Sequence, residues 1–276
     1  MKTKLKDALV TLKGKHRSTF AFNLQNFYQL EAAKTASEKL QIPLIIQFSE
    51  RYLRFLDEKY GIAYIINTFS NQFTYFHLDH CTDIDFIKFC VDAGFDSVMY
   101  DGSAFEIGQN IANSIEVINY ASKKGCLVEG ELGKVSGVED GFGDEGSSYA
   151  EMAEIQRYVH ETKIDLMALG IGNAHGFYDN LEGLKMNILK EARETLGEDQ
   201  LFVLHGGTGL TDEILREAIG YGIVKINIST QIKKKTMDIM HEYLKNNALY
   251  NEISFYNLMV AELSDLFVSY LEKYTI

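Results

Sequence analysis

Short apolar or β-branched runs recur along the chain, separated by longer stretches whose apolar residues repeat at helical spacing. Eight runs read as strands: STFAFN (18–23), LIIQFS (44–49), FTYFHLD (73–79), SVMYDG (97–102), CLVEGELG (126–133), LMALGIG (166–172), FVLHGG (202–207) and IVKINIS (223–229). Between them, NFYQLEAAKTASEKL and DIDFIKFCVDAG gather their apolar residues on one helical face. Gly94, Gly125 and Gly220 stand where helices would end. Strict strand–helix alternation implies parallel strands joined by right-handed crossovers. Eight units favour an α/β chain closed into a (β/α)8 TIM barrel over an open sheet. Two extra C-terminal helical stretches, 232–247 and 254–273, follow the eighth strand. The last is apolar on one face apart from Glu262 and Asp265, a pattern suited to packing on the barrel or on another subunit. The first strand carries no GxGxxG turn, so a dinucleotide fold has no support.

Composition agrees with one large barrel. The 276 residues are 46% hydrophobic and 24% charged, with no internal repeat or low-complexity linker, so residues 1–276 are expected to form a single domain. A net charge of −12 disfavours nucleic acid, whose phosphates need clustered Lys and Arg. It leaves room for a small phosphate ester, because a metal ion and a few backbone amides can make one pocket locally positive. No stretch approaches the roughly 18 apolar residues of a membrane span. The opening MKTKLKDALVTLKGKH lacks the apolar centre of a signal peptide. A cytoplasmic protein with no membrane partner is expected. Cys81, Cys90 and Cys126 have no CxxC spacing and suit packed thiols in a reducing compartment.

Chemistry in such a barrel gathers at the C-terminal ends of the strands. His80 in HLDH, His175 in GNAHG and His205 in LHGGTG fall at three of those ends. Any one alone would read as a hydrogen-bonded structural histidine. Together, from three strands, they could converge as three imidazole ligands that leave an open position on a catalytic zinc. Acids follow the same geography: Asp79 beside His80, Asp101 ending the fourth strand, and Glu129 and Glu131 on one side of the fifth. The last two could equally be ion partners of a barrel lysine such as Lys225. Glu139 and Asp140 sit in the loop GKVSGVEDGFGDEGSS, which is long enough to carry a mobile acid or base, or to be a solvated surface loop. GIGNAHG, HGGTG and NIST offer backbone amides and hydroxyls where barrels commonly bind phosphate.

The ordered set AFNLQN, HLDH, DGS, EGELGKVSGVEDG, GIGNAHG, VLHGGTGL and KINIST, from about residue 20 to 231, resembles the class II fructose- and tagatose-bisphosphate aldolases. The resemblance implies that His80, His175 and His205 bind zinc. It makes Asp79 the acid/base that serves the aldehyde oxygen, Glu139 the mobile-loop carboxylate that exchanges the carbanion proton, and Asn227 the residue that holds the enediolate. Gly176, Gly206, Gly207, Thr208, Ile228, Ser229 and Thr230 match the grip on substrate and phosphate, while Asn23 and Ser49 match further substrate contacts. A monovalent cation, Na+ or K+, near the phosphate and a homo-oligomer (dimer or tetramer) are implied in the same way. So is a small phosphorylated sugar, a ketose 1,6-bisphosphate cleaved between C3 and C4 to dihydroxyacetone phosphate and an aldehyde. A Schiff-base route has no reactive lysine on the sixth strand, and Lys225 lies within the eighth.

The chain departs from this family in three places. DGSH reads DGSA here, with Ala104 in place of a histidine. The small Ser-x-Gly-Ala turn after the second strand reads Ser49-Glu50-Arg51-Tyr52, and the Asp-Pro-Arg segment before the terminal helix is missing. Arg51 could therefore meet the far anionic end of the substrate, or simply begin a surface helix and pair with Glu50, Asp57 or Glu58. Three other readings compete: a non-catalytic phosphosugar-binding or scaffold barrel, an aldolase for a different ketose 1-phosphate, and a barrel metallohydrolase. The last lacks its usual HxH on the first strand.

Overall fold

The computed structural model describes residues 2–139, 142–144, 148–246 and 251–276. Its strands are β1 (Thr19–Asn23), β2 (Leu44–Ser49), β3 (Thr74–Cys81), β4 (Ser97–Tyr100), β5 (Leu127–Leu132), β6 (Gly137–Glu139), β7 (Phe142–Asp144), β8 (Leu166–Leu169), β9 (Leu201–Leu204) and β10 (Ile223–Ile228). Its helices are α1 (Leu5–Gly14), α2 (Phe27–Leu40), α3 (Glu50–Tyr60), α4 (Ile62–Phe69), α5 (Ile84–Ala93), α6 (Ile107–Ala121), α7 (Met152–Thr162), α8 (Met186–Leu196), α9 (Asp212–Gly220), α10 (Thr230–Asn246) and α11 (Glu252–Tyr274). The barrel closes in the order β1-β10-β9-β8-β5-β4-β3-β2, with every neighbouring pair parallel. These are the eight strands expected from the sequence. None of the described helices is long and apolar enough to cross a membrane.

Two apolar layers hold the barrel. Outward-facing strand residues such as Phe22, Phe48, Val98, Met167 and Ile228 pack under the helices. Inward-facing Ala21, Ile45, Tyr75, Leu127, Leu166, Leu201 and Val224 fill the lower interior. That floor is sealed by α1, which the strand–helix pattern did not anticipate. Its Leu5, Ala8, Leu9 and Leu12 are buried at helical spacing, and the first three join the inner layer. Burying one such leucine contributes about 1.5–3 kcal/mol. Along each strand the side chains alternate between the two layers, so the inner positions above the floor are free to be polar. Tyr75 is followed inward by His77 and Asp79, and Leu127 by Glu129 and Glu131.

Local chemistry sets the helix ends. Asn26, Asp83, Thr211 and Asn251 each accept a bond from a backbone N–H in the first turn of the helix that follows. Gly94 ends α5 in the left-handed region at φ 98°. The terminal helix α11 lies on α2 and on β1, where Phe267 stacks on Phe22 at 4.4 Å. Among the described residues after β5, β6 and β7 pair antiparallel, and Lys134 bridges to Ser148.

Candidate active site

At the upper rim β3 breaks the rule of alternation. Its pairing with β4 shifts register between Leu78 and Cys81, and His80 takes a left-handed backbone at φ 41°. Adjacent residues of a regular strand point to opposite faces; this bulge turns His80 inward beside Asp79. The His80 ring stands 4.7 Å from that of His205 and 5.3 Å from that of His175, centroid to centroid.

The three histidines are presented by different devices. His205 directly follows β9, and its carbonyl accepts from Asn173 Nδ2 at 3.0 Å. Asn173 also caps its own loop, accepting from Ile171 N at 3.0 Å. His175 lies in that loop after β8, where its N–H donates to Ser136 O at 2.8 Å and ties the loop to the base of the β6–β7 hairpin. Tyr178 Oη accepts from Ala174 N at 3.0 Å and donates to Gly206 O at 2.8 Å. Gly206 is required there: its φ is 67°, and a Cβ would lie 2.3 Å from Ala174 O.

Donors for a metal are grouped at this point. Asp79, His80 and His205 offer atoms within 4.8 Å of one another, as do His80, Asp101 and Glu131; His175 belongs to neither group among the described residues. His80 Nε2 and His205 Nδ1 are buried with no hydrogen-bond partner. Leaving such atoms bare costs free energy unless something binds them, so these residues fit a metal ion. The other nitrogens are committed: His80 Nδ1 lies 2.8 Å from Asp101 Oδ2, and His205 Nε2 lies 2.9 Å from Glu129 Oε1.

Charges in the cluster shape one another. Burial opposes the Asp101 charge, but His80 and Ser103 hold its carboxyl well below the usual range. Burial pulls the His80 imidazolium down, yet Asp79 and Asp101 lift it well above the ordinary histidine value. Burial, with the Asp101 charge beside it, pushes Glu131 well up. Below them lies a buried row that the sequence only half disclosed. Lys225 Nζ is 2.7 Å from Glu129 Oε2 and 2.9 Å from His77 Nε2, and His77 Nδ1 is 2.8 Å from Ser97 Oγ. The Glu129–Lys225 pairing matches the structural reading of Glu129; Glu131 has no such lysine. His77 went unnoticed, although its place two residues before Asp79 marks it as inward-facing. Burial, with Lys225 beside it, keeps His77 far below its ordinary value and hence neutral.

The remaining expected residues divide. Asp79 accepts from Asn23 Nδ2 at 3.2 Å and from Asn227 Nδ2 at 3.3 Å, and Ser49 is its register partner on β2. Thr208 and Ser229 are buried where β9 and β10 end, and Thr230 opens α10. Gly207 N donates to Asn227 O at 3.0 Å, and Gly176 has φ 103°. The side chain of Ile228 is fully buried in the outer apolar layer, so its expected contact with substrate would be made by its main chain. The odd–even alternation of β10 places it so. The side chain of Glu139, and Asp140 entirely, lie outside the described residues. Arg51 is exposed on α3, and Glu50 pairs with Arg54 instead.

A closed eight-stranded parallel barrel with this donor set at its upper rim is a TIM-barrel protein whose site could hold a metal ion. The family model for class II fructose-bisphosphate aldolase matches residues 3–274. The chain belongs to that family, whose members are metal-dependent lyases. It is 36% identical over 248 residues to a 6-phospho-5-dehydro-2-deoxy-D-gluconate aldolase of Halalkalibacterium halodurans, covering 88% of this chain and 85% of that one. It is also 36% identical over 237 residues to a fructose-bisphosphate aldolase of Ureaplasma parvum, covering 83% and 79%. In fold it resembles the YdjI aldolase of Escherichia coli K12, with a TM-score of 0.83 at 23% identity over 99% of this chain and 97% of that one.

Proposed function

We propose that the protein is a zinc-dependent aldolase that splits a ketose phosphate between C3 and C4, releasing dihydroxyacetone phosphate and an aldehyde. The observation that carries this reading is the pair of bare, buried nitrogens, His80 Nε2 and His205 Nδ1, beside Asp79. His80, His205 and His175 would hold the ion, and zinc would supply Lewis-acid stabilisation of the charge that develops beside the substrate carbonyl.

Asp79 then takes the proton of the C4 hydroxyl during cleavage and returns it during condensation. Asn23 and Asn227 hold its carboxylate through their NH2 groups and leave both of their carbonyl oxygens without partners. Asn227 can therefore turn towards the enediolate without leaving the pocket. Glu139 exchanges the carbanion proton from the hairpin segment. The loop amides of Gly176 and Gly206, with Thr208, Ser229 and Thr230, suit a phosphate next to the N-terminus of α10, while the amide of Gly207 is already given to Asn227 O. A monovalent cation could join them. Residues 1–276 act as one catalytic domain, and a cytoplasmic homo-oligomer fits the family.

The two kinds of relative differ at the far end of the named compound, a phosphate in one and a carboxylate in the other. Arg51, two residues after β2 and with Glu50 already engaged by Arg54, is the side chain we assign to either anion, since a guanidinium can pair with both. Assays of fructose 1,6-bisphosphate, tagatose 1,6-bisphosphate and 6-phospho-5-dehydro-2-deoxygluconate, with and without chelator, test the reading. Cleavage of none of them by zinc-loaded protein would favour the non-catalytic barrel.

A further inference from the structure

We infer that Glu129, held in place by Lys225, decides which nitrogen of His205 is presented to the metal, which makes Glu129 and Lys225 positioning residues of the zinc site. The inference rests on the metal reading above. It follows from donor and acceptor capacity alone. An ammonium only donates, so His77 Nε2, 2.9 Å from Lys225 Nζ, must accept. The His77 proton is then on Nδ1 and is donated to Ser97 Oγ at 2.8 Å. Lys225 gives a second proton to Glu129 Oε2 at 2.7 Å. The other oxygen, Oε1, can only accept, so His205 Nε2 at 2.9 Å must carry the imidazole proton. Nδ1 of His205 is left as a lone pair, and that is the atom found buried without a hydrogen-bond partner, 3.5 Å from Glu131 Oε2.

His80 is set the opposite way. Its Nδ1 serves Asp101 at 2.8 Å and its Nε2 is bare. The two rings thus offer different nitrogens to one point, and each choice is enforced by a carboxylate behind it.

Packing alone gives no reason for this row. His77, Glu129, His205 and Lys225 are each no more than 1% exposed, directly above an interior layer of Leu, Ile, Val and Ala with Tyr75. Apolar residues of similar volume would fill the space as well or better, since a buried ion pair costs desolvation that its attraction seldom exceeds. What apolar residues could not do is hold the proton of His205 away from the metal-facing side.

The first test reads the tautomer. In metal-free protein labelled with 15N-histidine, the His205 signals should show a protonated Nε2 and an unprotonated Nδ1; the reverse assignment overturns the inference. The second test uses zinc as the probe. In Glu129→Gln the Lys225 ammonium claims the one amide oxygen and turns the NH2 towards His205 Nε2. The imidazole proton must then move to Nδ1 and block it. The zinc dissociation constant, measured by competition with a chelator, should rise about ten- to a hundredfold. Adding Lys225→Met frees the amide to turn its oxygen back, and most of the affinity should return. A merely structural role predicts no such recovery. Wild-type affinity in Glu129→Gln, or a double variant no tighter than the single one, overturns the inference. Should the wild-type protein bind no zinc at all, the metal reading falls and this inference falls with it. Zinc binding with the proton on Nδ1 sinks the inference alone.

Discussion

His80 Nδ1 lies 2.8 Å from Asp101 Oδ2, while Ser103 donates to the carboxylate's other oxygen through both its backbone N–H and its hydroxyl. Asp101 is therefore fixed on two sides and can only accept from His80. Asp101→Asn keeps the shape but puts an amide donor against that nitrogen whenever its oxygen stays with Ser103. Zinc affinity should fall about ten- to a hundredfold. A competition titration checks this, and activity should follow zinc occupancy.

Asp79 and Glu139 should separate by reaction. Asp79→Asn should slow carbon–carbon cleavage by about 10²–10⁴-fold and leave most proton exchange on dihydroxyacetone phosphate. Glu139→Gln should mainly slow that exchange. Cleavage assays and tritium or deuterium exchange on the two variants decide it. Equal losses in both would mean that the roles are misassigned.

Arg51 offers a test of substrate choice. A charge-assisted hydrogen bond is worth about 1.5–3 kcal/mol, so Arg51→Ala should raise KM about ten- to a hundredfold for a ketose with a far anion. Exchange on dihydroxyacetone phosphate, which lacks that end, should be unchanged. Unaltered KM values for both the bisphosphate and the carboxylate substrate would return Arg51 to an ordinary surface role.

The thiols should be silent. Cys81, Cys90 and Cys126 are buried, and burial pushes each thiol far above its ordinary value. The thiolate is the reactive form, so raising the pH from 7 to 9 should not expose it in the folded protein. A thiol-reactive chromophore should label none of them until denaturant is added, and then all three. Rapid labelling of native protein would contradict the packing described.

Much of this was legible in the chain. The eight strands follow from apolar runs set between helical patterns; period-two alternation put Glu129 and Glu131 on one side of β5, strand-end position picked out Asp79, and Asn227 came from the family resemblance. The misses have physical causes. A bulge is a local exception to alternation, so nothing in HLDH announces that His80 and Asp79 face one point. Helix α1 looks like an ordinary amphipathic segment, and only the closed barrel provides the floor that it plugs. The Glu129–Lys225–His77 row joins residues far apart in sequence, and its hydrogen bonds depend on the barrel's register. For Arg51 the sequence offered several acids, but Glu50 pairs one turn away, with Arg54 at 2.7 Å, and Asp57 caps Ile62 N at 2.8 Å.

The central claim is that cleavage depends on zinc held by His80, His175 and His205, with no covalent lysine intermediate. The most direct measurement is the cleavage rate of freshly purified protein, of the same protein after a strong chelator, and of that sample after stoichiometric zinc. Borohydride is added to a parallel reaction. The account predicts about one zinc per chain at this site, loss of activity with the metal, recovery on its return, and no substrate-derived mass on any lysine. Full activity in metal-free protein, or a lysine adduct trapped by borohydride, would contradict it.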